Sequence, residues 1–364
     1  MENEPVKTAV IGAGMISDIY LTNMIQKFPA IEVVAIGAAS GAQEKAKQYG
    51  IRAEEVEDIF ADPEIELIVN LTPVQFHYEL IKQALEAGKH VYTEKTLTNS
   101  PGTAQELLLL AQQKGLLLGS APDTFLGASL QTARKLIDEG EIGQVTSFVV
   151  SANRENDHML SYYPFLRAPG CGVCYDYGVY YMTALASLFG SVATTAAFTD
   201  NPIPRHINSN VKSPDYGQEF ICDNESRVSA ILRFESGLTG TFHLNANSIV
   251  KDQAEFIVYG TKGILHFGNP DKFGSEITLI KTKNQATREI EKEIINFQFP
   301  FENNSRGIGP ADMAEAIRRN TKPRVSAELA YHVLEVLDSL IQGRDKQTFV
   351  PITSRCERPK AMEP

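Results

Sequence analysis

Between Thr8 and Leu118, short apolar runs alternate with longer stretches in which apolar residues return every three or four positions, the pattern of a parallel sheet with helical crossovers. The runs are Thr8–Ile11, Val33–Ile36, Leu67–Leu71, His90–Tyr92 and Leu116–Leu118. Ile16, Ile19, Tyr20 and Met24 mark one face of a first helix. Gly88 stops another helix. A further one is expected to start at Pro101, with Ser100 as its N-cap, and to end before Gly115. After Pro122 the period changes. One amphipathic helix over 127–138 gives way to alternating runs at Val145–Ala152, Ser229–Phe234, Leu238–Leu244, Phe256–Tyr259 and Ile277–Ile280. Glu235-Ser236-Gly237 and Gly260-Thr261-Lys262-Gly263 are turn signals between such runs, so these strands are expected to pair antiparallel. Helical spacing resumes at Pro310–Arg319 and Ala327–Leu340.

The change of period near 120–124 implies two domains, and 364 residues suffice for two cores. The first, 1–122, is expected to be an α/β dinucleotide-binding domain of the Rossmann type. The second, 123–364, is expected to be an α+β domain with a large, mainly antiparallel, open-faced sheet that binds substrate and self-associates. The terminal helices would pack beside that sheet or on the first domain. A content of 43% hydrophobic and 22% charged residues excludes a disordered or fibrous chain. The net charge of −11, with Lys and Arg scattered rather than gathered in a stripe, speaks against nucleic acid as a partner. Neither a signal-peptide pattern nor a membrane-length apolar run is present, and four cysteines make no disulfide framework, so a cytoplasmic protein without membrane attachment is expected.

Three motifs carry chemistry. Gly12-Ala13-Gly14-Met15-Ile16-Ser17 follows an apolar strand and opens a helix. Gly12 permits the tight turn, Gly14 lets backbone approach a pyrophosphate, and the helix N-terminus favours an anion. An NAD enzyme usually carries an acidic residue at the end of the second strand for the ribose 2′-hydroxyl. Here the segment reads Ile36-Gly37-Ala38-Ala39-Ser40, which tips the expectation toward NADP, with Ser40 as its only polar support. The second motif is Glu94-Lys95-Thr96, just beyond a parallel strand, where a lysine either points into the ligand crevice or forms a plain surface pair with Glu94. The third is the stretch Gly170 to Tyr181. A helix starting near Asp176 would put Asp176 and Tyr180 on one face, as a pair serving a polyol and its proton or as an N-cap and a core tyrosine.

In order and spacing these motifs resemble the Gfo/Idh/MocA oxidoreductases, over nearly the whole chain. The resemblance takes in Thr72-Pro73 and His77, Ala87-Gly88-Lys89-His90-Val91 before Glu94-Lys95, Phe125-Leu126-Gly127 through Gly143, Gly260-Thr261-Lys262-Gly263, Arg306-Gly307-Ile308-Gly309, and Ala330-Tyr331-His332-Val333-Leu334. It implies hydride transfer between NAD(P) and a secondary alcohol or ketone of a sugar, inositol or related polyol, and a homodimer or homotetramer. Cofactor contacts would come from Gly12, Gly14, Met15, Ile16, Ser40, Thr72, Pro73, His77, Glu94 and Lys95. Lys95, Asp176 and Tyr180 would be catalytic, with His158 and Tyr163 joining them around the substrate. Tyr180 stands where many members have histidine, which is similar to the branch that uses a tyrosine as acid/base, with Lys95 favouring its phenolate. Thr96 replaces the family's proline. A cis bond before a non-proline costs about 2.5–4 kcal/mol, so a trans bond is expected at Lys95–Thr96. A dinucleotide-binding sensor without turnover, or redox-assisted glycosidic cleavage with tightly held NAD, remain alternatives on the same fold. Cys171-Gly172-Val173-Cys174 has no second pair to complete a zinc site, and His243 lies in an alternating run, so no metal is expected.

Overall fold

In the computed structural model, which describes residues 4–284, 286–343 and 348–363, the chain forms two compact units. The first comprises Met1–Leu126 and Asn303–Tyr331, the second Gly127–Glu302 and His332–Pro364.

In the first unit the apolar runs become β1 (Val6–Ile11), β2 (Ile31–Gly37), β3 (Arg52–Ala53), β4 (Leu67–Asn70), β5 (His90–Thr93) and β6 (Leu118–Ser120). All their pairings are parallel, in the order β3-β2-β1-β4-β5-β6, and β1 and β4 are buried almost throughout because helices cover both faces. The connecting helices are α1 (Met15–Lys27), α2 (Ala42–Tyr49), α3 (Val56–Ala61), α4 (His77–Glu86) and α5 (Pro101–Lys114). Helix α5 has the expected ends: Ser100 Oγ accepts from the Thr103 amide, and Gly115 closes the helix at φ +65°. The expected apolar face of α1 is rotated. Its buried residues are Ser17, Tyr20, Leu21, Asn23 and Met24, while Ile16 and Ile19 are half-buried. Burial of Asn23 costs little because its side-chain amide donates to the Asn304 and Arg306 carbonyls of the returning segment. That segment then forms the helix Ile308–Arg319, whose first amides at Gly307 and Gly309 both donate to Asp123 Oδ2. The last strand starts two residues later than its apolar run, and its Gly119 lies so close to Val325 that a Cβ would meet that carbonyl at 2.7 Å.

The second unit is built on a nine-stranded sheet. Its strands are β7 (Val145–Asn153), β8 (Val192–Asp200), β11 (Arg227–Phe234), β12 (Thr239–Asn245), β13 (Gln253–Gly260), β14 (Gly263–Phe267), β15 (Ile277–Asn284), β16 (Glu289–Ile294) and β17 (Val350–Pro351), while β9 (Arg205–Ile207) and β10 (Glu219–Ile221) form a separate hairpin. The order β16-β15-β14-β13-β7-β12-β11-β8-β17 contains the two expected hairpins, but β7 and β12 pair parallel. That pair joins distant segments, which hairpin reasoning does not reach. Helix α6 (Ala128–Asp138), the short helix α7 (Asp157–Tyr162) and α8 (Val179–Phe189) belong to this unit. Phe189 at the end of α8 meets Phe148 and Phe234 with ring centroids 6.2 and 5.9 Å apart, and α8 covers one face of the sheet. On the other face the registers align Ala196, Ile231, Thr241, Val149, Ile257, His266, Thr278 and Ile294 across eight strands, an apolar-centred row left open.

The Lys95–Thr96 bond is cis, against the trans expectation drawn from the intrinsic cost of a non-proline cis peptide. Thr96 is buried, its hydroxyl donates to the Thr98 carbonyl at 2.7 Å, and its own carbonyl lies 2.8 Å from His77 Nδ1. These tertiary contacts are absent from a local reading of the three residues.

Candidate functional site

The reversal of strand order at β1 and β4 opens a crevice at the carboxyl ends of the parallel strands, the usual ligand position in such sheets. Gly12 turns the chain there at φ +111°, and a Cβ on it would sit 2.9 Å from the carbonyl carbon of Leu71. Only glycine fits so close to the end of β4. Gly14 is different: it is the N-cap of α1, exposed, and nothing lies within 4 Å of the place a Cβ would take. Open space above unpaired helix amides fits a pyrophosphate. Met15 beside it is 70% exposed, and Ile16 half-exposed. The turn is braced from within, since Ser17 Oγ donates to the Gly14 carbonyl at 2.6 Å.

Neighbouring strand ends bring the other expected residues to the same edge of the sheet. Ser40 is exposed in the loop after β2. Thr72 and Pro73 follow β4, and Thr72 is fixed by Asn70, whose Oδ1 accepts from the Thr72 hydroxyl at 2.8 Å and from its amide at 3.2 Å. Asn70 Nδ2 in turn donates to Thr93 Oγ1 on β5. Sequence reasoning passed over Asn70, although a lone polar residue in the apolar run Leu67–Leu71 was the signal available. His77 is fully buried, with Nε2 2.8 Å from the Thr72 carbonyl and Nδ1 2.8 Å from that of Thr96. It ties the loop after β4 to the loop after β5, and burial pushes its pKa down. Glu94 Oε1 accepts from the Tyr20 hydroxyl at 2.8 Å and Oε2 from the Lys95 amide at 3.0 Å, so its carboxylate holds the motif to α1. From Val91 to Thr98 only Glu94 and Lys95 escape burial. Beneath lies Asp123, 1% exposed, whose pKa burial raises to about 6 despite the nearby Arg306 and two amide donors.

In the second unit, Asp176 sits inside a helix, where the sequence left an N-cap open. The chain makes a π turn at Cys174–Gly178 that runs into α8, and the Asp176 amide donates to the Gly172 carbonyl at 2.9 Å. Glu225 caps the start instead: its Oε1 accepts from the Cys174 amide at 3.1 Å and its carbonyl from the Val173 amide at 3.0 Å. Every residue from Cys171 to Leu188 is buried except Asp176 and Tyr180. The wider turn of a π helix thus leaves a carboxylate and a phenol as the two side chains of that segment that reach solvent. Arg154, in the loop after β7, donates to Asp176 Oδ2 at 3.0 Å, and its guanidinium carbon lies 4.5 Å from the Tyr177 ring centroid. His158 is exposed and stacks on Tyr162 at 4.1 Å, while Tyr163, half-exposed, meets Phe165 edge-on at 6.3 Å. His243 lies on the open sheet face, 3.0 Å from Ser229 Oγ. The four cysteines are free thiols, and among the described residues no group of three or more His, Cys, Asp or Glu side chains is placed to hold a metal. Among the same residues no helix is long and apolar enough to cross a membrane.

Residues 6–121 match the model of an oxidoreductase family with an NAD-binding Rossmann fold, and residues 130–266 match that of the GFO/IDH/MocA C-terminal domain. An uncharacterized oxidoreductase of Schizosaccharomyces pombe is 32% identical over 200 residues, 53% of this chain and 54% of that protein, so this likeness spans about half the relative's length. The scyllo-inositol 2-dehydrogenase (NADP(+)) of Bacillus subtilis is 24% identical over 95% of this chain and 96% of its own. Levoglucosan dehydrogenase in complex with NADH and L-sorbose has the same fold, with a TM-score of 0.83 and 20% identity over 96% of this chain and 100% of that one. With its two domain models matched in succession, the chain belongs to the Gfo/Idh/MocA family of oxidoreductases.

Proposed function

We propose that the protein is an NAD(P)-dependent oxidoreductase acting on a secondary alcohol or ketone of a sugar, inositol or related polyol. The observation that carries the reading is that Asp176 and Tyr180 alone reach solvent between Cys171 and Leu188, in a chain whose other unit is an NAD-binding Rossmann fold. Gly12, Gly14 and the first amides of α1 would hold the pyrophosphate, and the loop ends at Ser40, Thr72 and Pro73 the rest of the dinucleotide. When bound, NAD(P) supplies a two-electron acceptor or donor. Lys95 would donate to a reacting oxygen, Tyr180 would exchange a proton, and Asp176 would orient substrate hydroxyls. Each role rests on the match of its position to the family's motif. NADP is preferred, because the segment Gly37–Gly41 offers no carboxylate against a 2′-phosphate and the exposed Ser40 precedes the N-terminus of α2. The NADP-linked relative, matched over 95% of this chain, supports the same choice and a cyclic polyol as substrate. The open sheet face, with Ile231, Val149 and Ile257 in one row, would bury itself against a second copy, making the protein a homodimer or a pair of such dimers. With free thiols throughout, we place it in the cytoplasm.

The test is a thermal-shift comparison of NAD and NADP, followed by turnover with the better cofactor on scyllo-inositol, myo-inositol, D-glucose and D-xylose and on their keto forms. Stabilisation by NADP and turnover of at least one polyol are expected. A cofactor that binds and is never reduced or oxidised would leave a sensor in place of an enzyme.

A further inference from the structure

The side chain on which a polyol-orienting carboxylate depends is itself unusual. Arg154 follows β7 and is nearly buried, with 12% of its side chain exposed against 15% for Asp176. Its Nη2 donates to Asp176 Oδ2 at 3.0 Å and to Asn156 Oδ1 at 2.9 Å, while its Nε is buried without a hydrogen-bond partner. Its backbone is clamped as well: the amide donates to the Asn245 carbonyl at 2.9 Å and the carbonyl accepts from the Ser248 amide at 3.2 Å. The guanidinium carbon lies over the Tyr177 ring, 4.5 Å from its centroid, within range of a cation–π attraction. That ring cannot drift, because its hydroxyl accepts from Asn269 Nδ2 at 3.0 Å, donates to Asp252 Oδ1 at 3.3 Å and lies 3.0 Å from the Tyr181 hydroxyl.

We infer that Arg154 is a positioning residue: seated over the Tyr177 ring, it holds the Asp176 carboxylate in the pose that substrate hydroxyls meet. The inference rests on the proposed role of Asp176. A buried ion pair is poor evidence for stability, since an apolar pair of similar volume often serves a fold as well. Retaining an arginine whose Nε goes unsatisfied therefore needs a reason in what its partner does. Asp176 sits on a π turn with 15% of its side chain exposed, and a displacement of about 1 Å at a reacting centre costs about 10²-fold in rate. The planar fork also explains the residue type, because lysine supplies the charge without the stack or the second donor direction.

The test is a kinetic double-mutant cycle of Arg154→Gln and Asp176→Asn, with the cofactor and polyol that turn over fastest in the panel above. Arg154→Gln is expected to raise KM for the polyol and lower kcat/KM by about 10²-fold while leaving cofactor affinity unchanged. In the Asp176→Asn background the same change should cost less than about threefold, since the partner it acts through is gone. Arg154→Lys should recover part of the loss, and it replaces Arg154→Gln in the cycle if the latter fails to fold by its melting curve. Full activity of Arg154→Gln, or an equal loss in both backgrounds, overturns the inference. A damaged Asp176→Asn beside an undamaged Arg154→Gln removes Arg154 alone. An undamaged Asp176→Asn removes the role proposed for Asp176 and this inference with it.

Discussion

The two units solve the same problem, presenting polar chemistry at a fixed place, with different materials. In the first, the presented groups are largely backbone: amides at the start of α1 and strand ends held at their spacing by Asn70, His77 and Glu94. In the second, the presented groups are side chains, Asp176 and Tyr180, carried by a π turn and the helix it runs into, with Glu225 and Arg154 bracing the turn from other elements and the turn's own Tyr177 lying against Arg154. A backbone site tolerates almost any side chain that keeps out of the way. A side-chain site tolerates almost none. The difference predicts opposite sensitivities in the two units, and each can be tested.

The largest effect belongs to the side-chain site. Tyr180→Phe removes one hydroxyl and should lower kcat by about 10²- to 10⁴-fold with cofactor binding and melting temperature nearly unchanged. If turnover survives, the phenol is not the acid/base, and the exposed imidazole of His158 is the next group to replace.

Gly14→Val attacks the backbone site without touching its chemistry. With no protein atom within 4 Å of the new Cβ, the fold should be indifferent, yet titration calorimetry should show cofactor affinity down by about 10³-fold. Gly12→Ala in the same turn should show the reverse balance, a stability loss of about 1–3 kcal/mol, because φ is +111° and the Cβ collides with Leu71. Equal melting temperatures for the two variants would contradict the division of labour between these glycines.

The polar scaffold of the first unit should announce itself through pH. The Asp123 carboxyl has its pKa raised from 3.8 to about 6 in the fold, so the folded state holds the proton more tightly than the unfolded one. Its contribution to stability is then greatest below about pH 4, falls as pH rises toward 6, and is flat above, a change of about 3 kcal/mol. Both amide donors use one oxygen, so Asp123→Asn keeps those bonds and should remove the fall. Urea titrations of the two proteins at pH 4, 5, 6 and 7 would check it. Glu66 acts with the opposite sign. Arg318 holds its pKa down, so this pair stabilises above the ordinary carboxylate range and fails as pH drops through the folded value.

The smallest effect concerns cofactor choice. Ala38→Asp should move the ratio of NADP to NAD affinity by about tenfold toward NAD, by placing a carboxylate where a 2′-phosphate would lie. An unchanged ratio would mean that another residue reads the ribose.

Much of this was legible along the chain, for local reasons. Period-two and period-3.6 patterns report burial of one face or both, so β1, β2, β4, β5, α5 and the two hairpins of the large sheet emerged where expected. Helix ends were legible too, because Ser100, Pro101 and Gly115 act on backbone within one turn. The bracing of Asp176 was not, because Arg154 is 22 residues away and Glu225 comes from yet another segment. Neither was the cis bond at Lys95, since its supports, His77 and Thr98, act through folded contacts.

The sequence by itself determined the parallel sheet, the glycine turn at its switch point and the identities of the groups offered for chemistry, since these follow from periodicity and from what glycine, lysine, aspartate and tyrosine can do. Tertiary structure alone decided that β7 and β12 pair parallel, that Asn23 and Asp123 are buried against the returning segment, and that Asp176 lies within a π turn beneath Arg154. Each of these is a pairing between residues far apart in the chain, fixed by which surfaces are left to satisfy once local structure has formed.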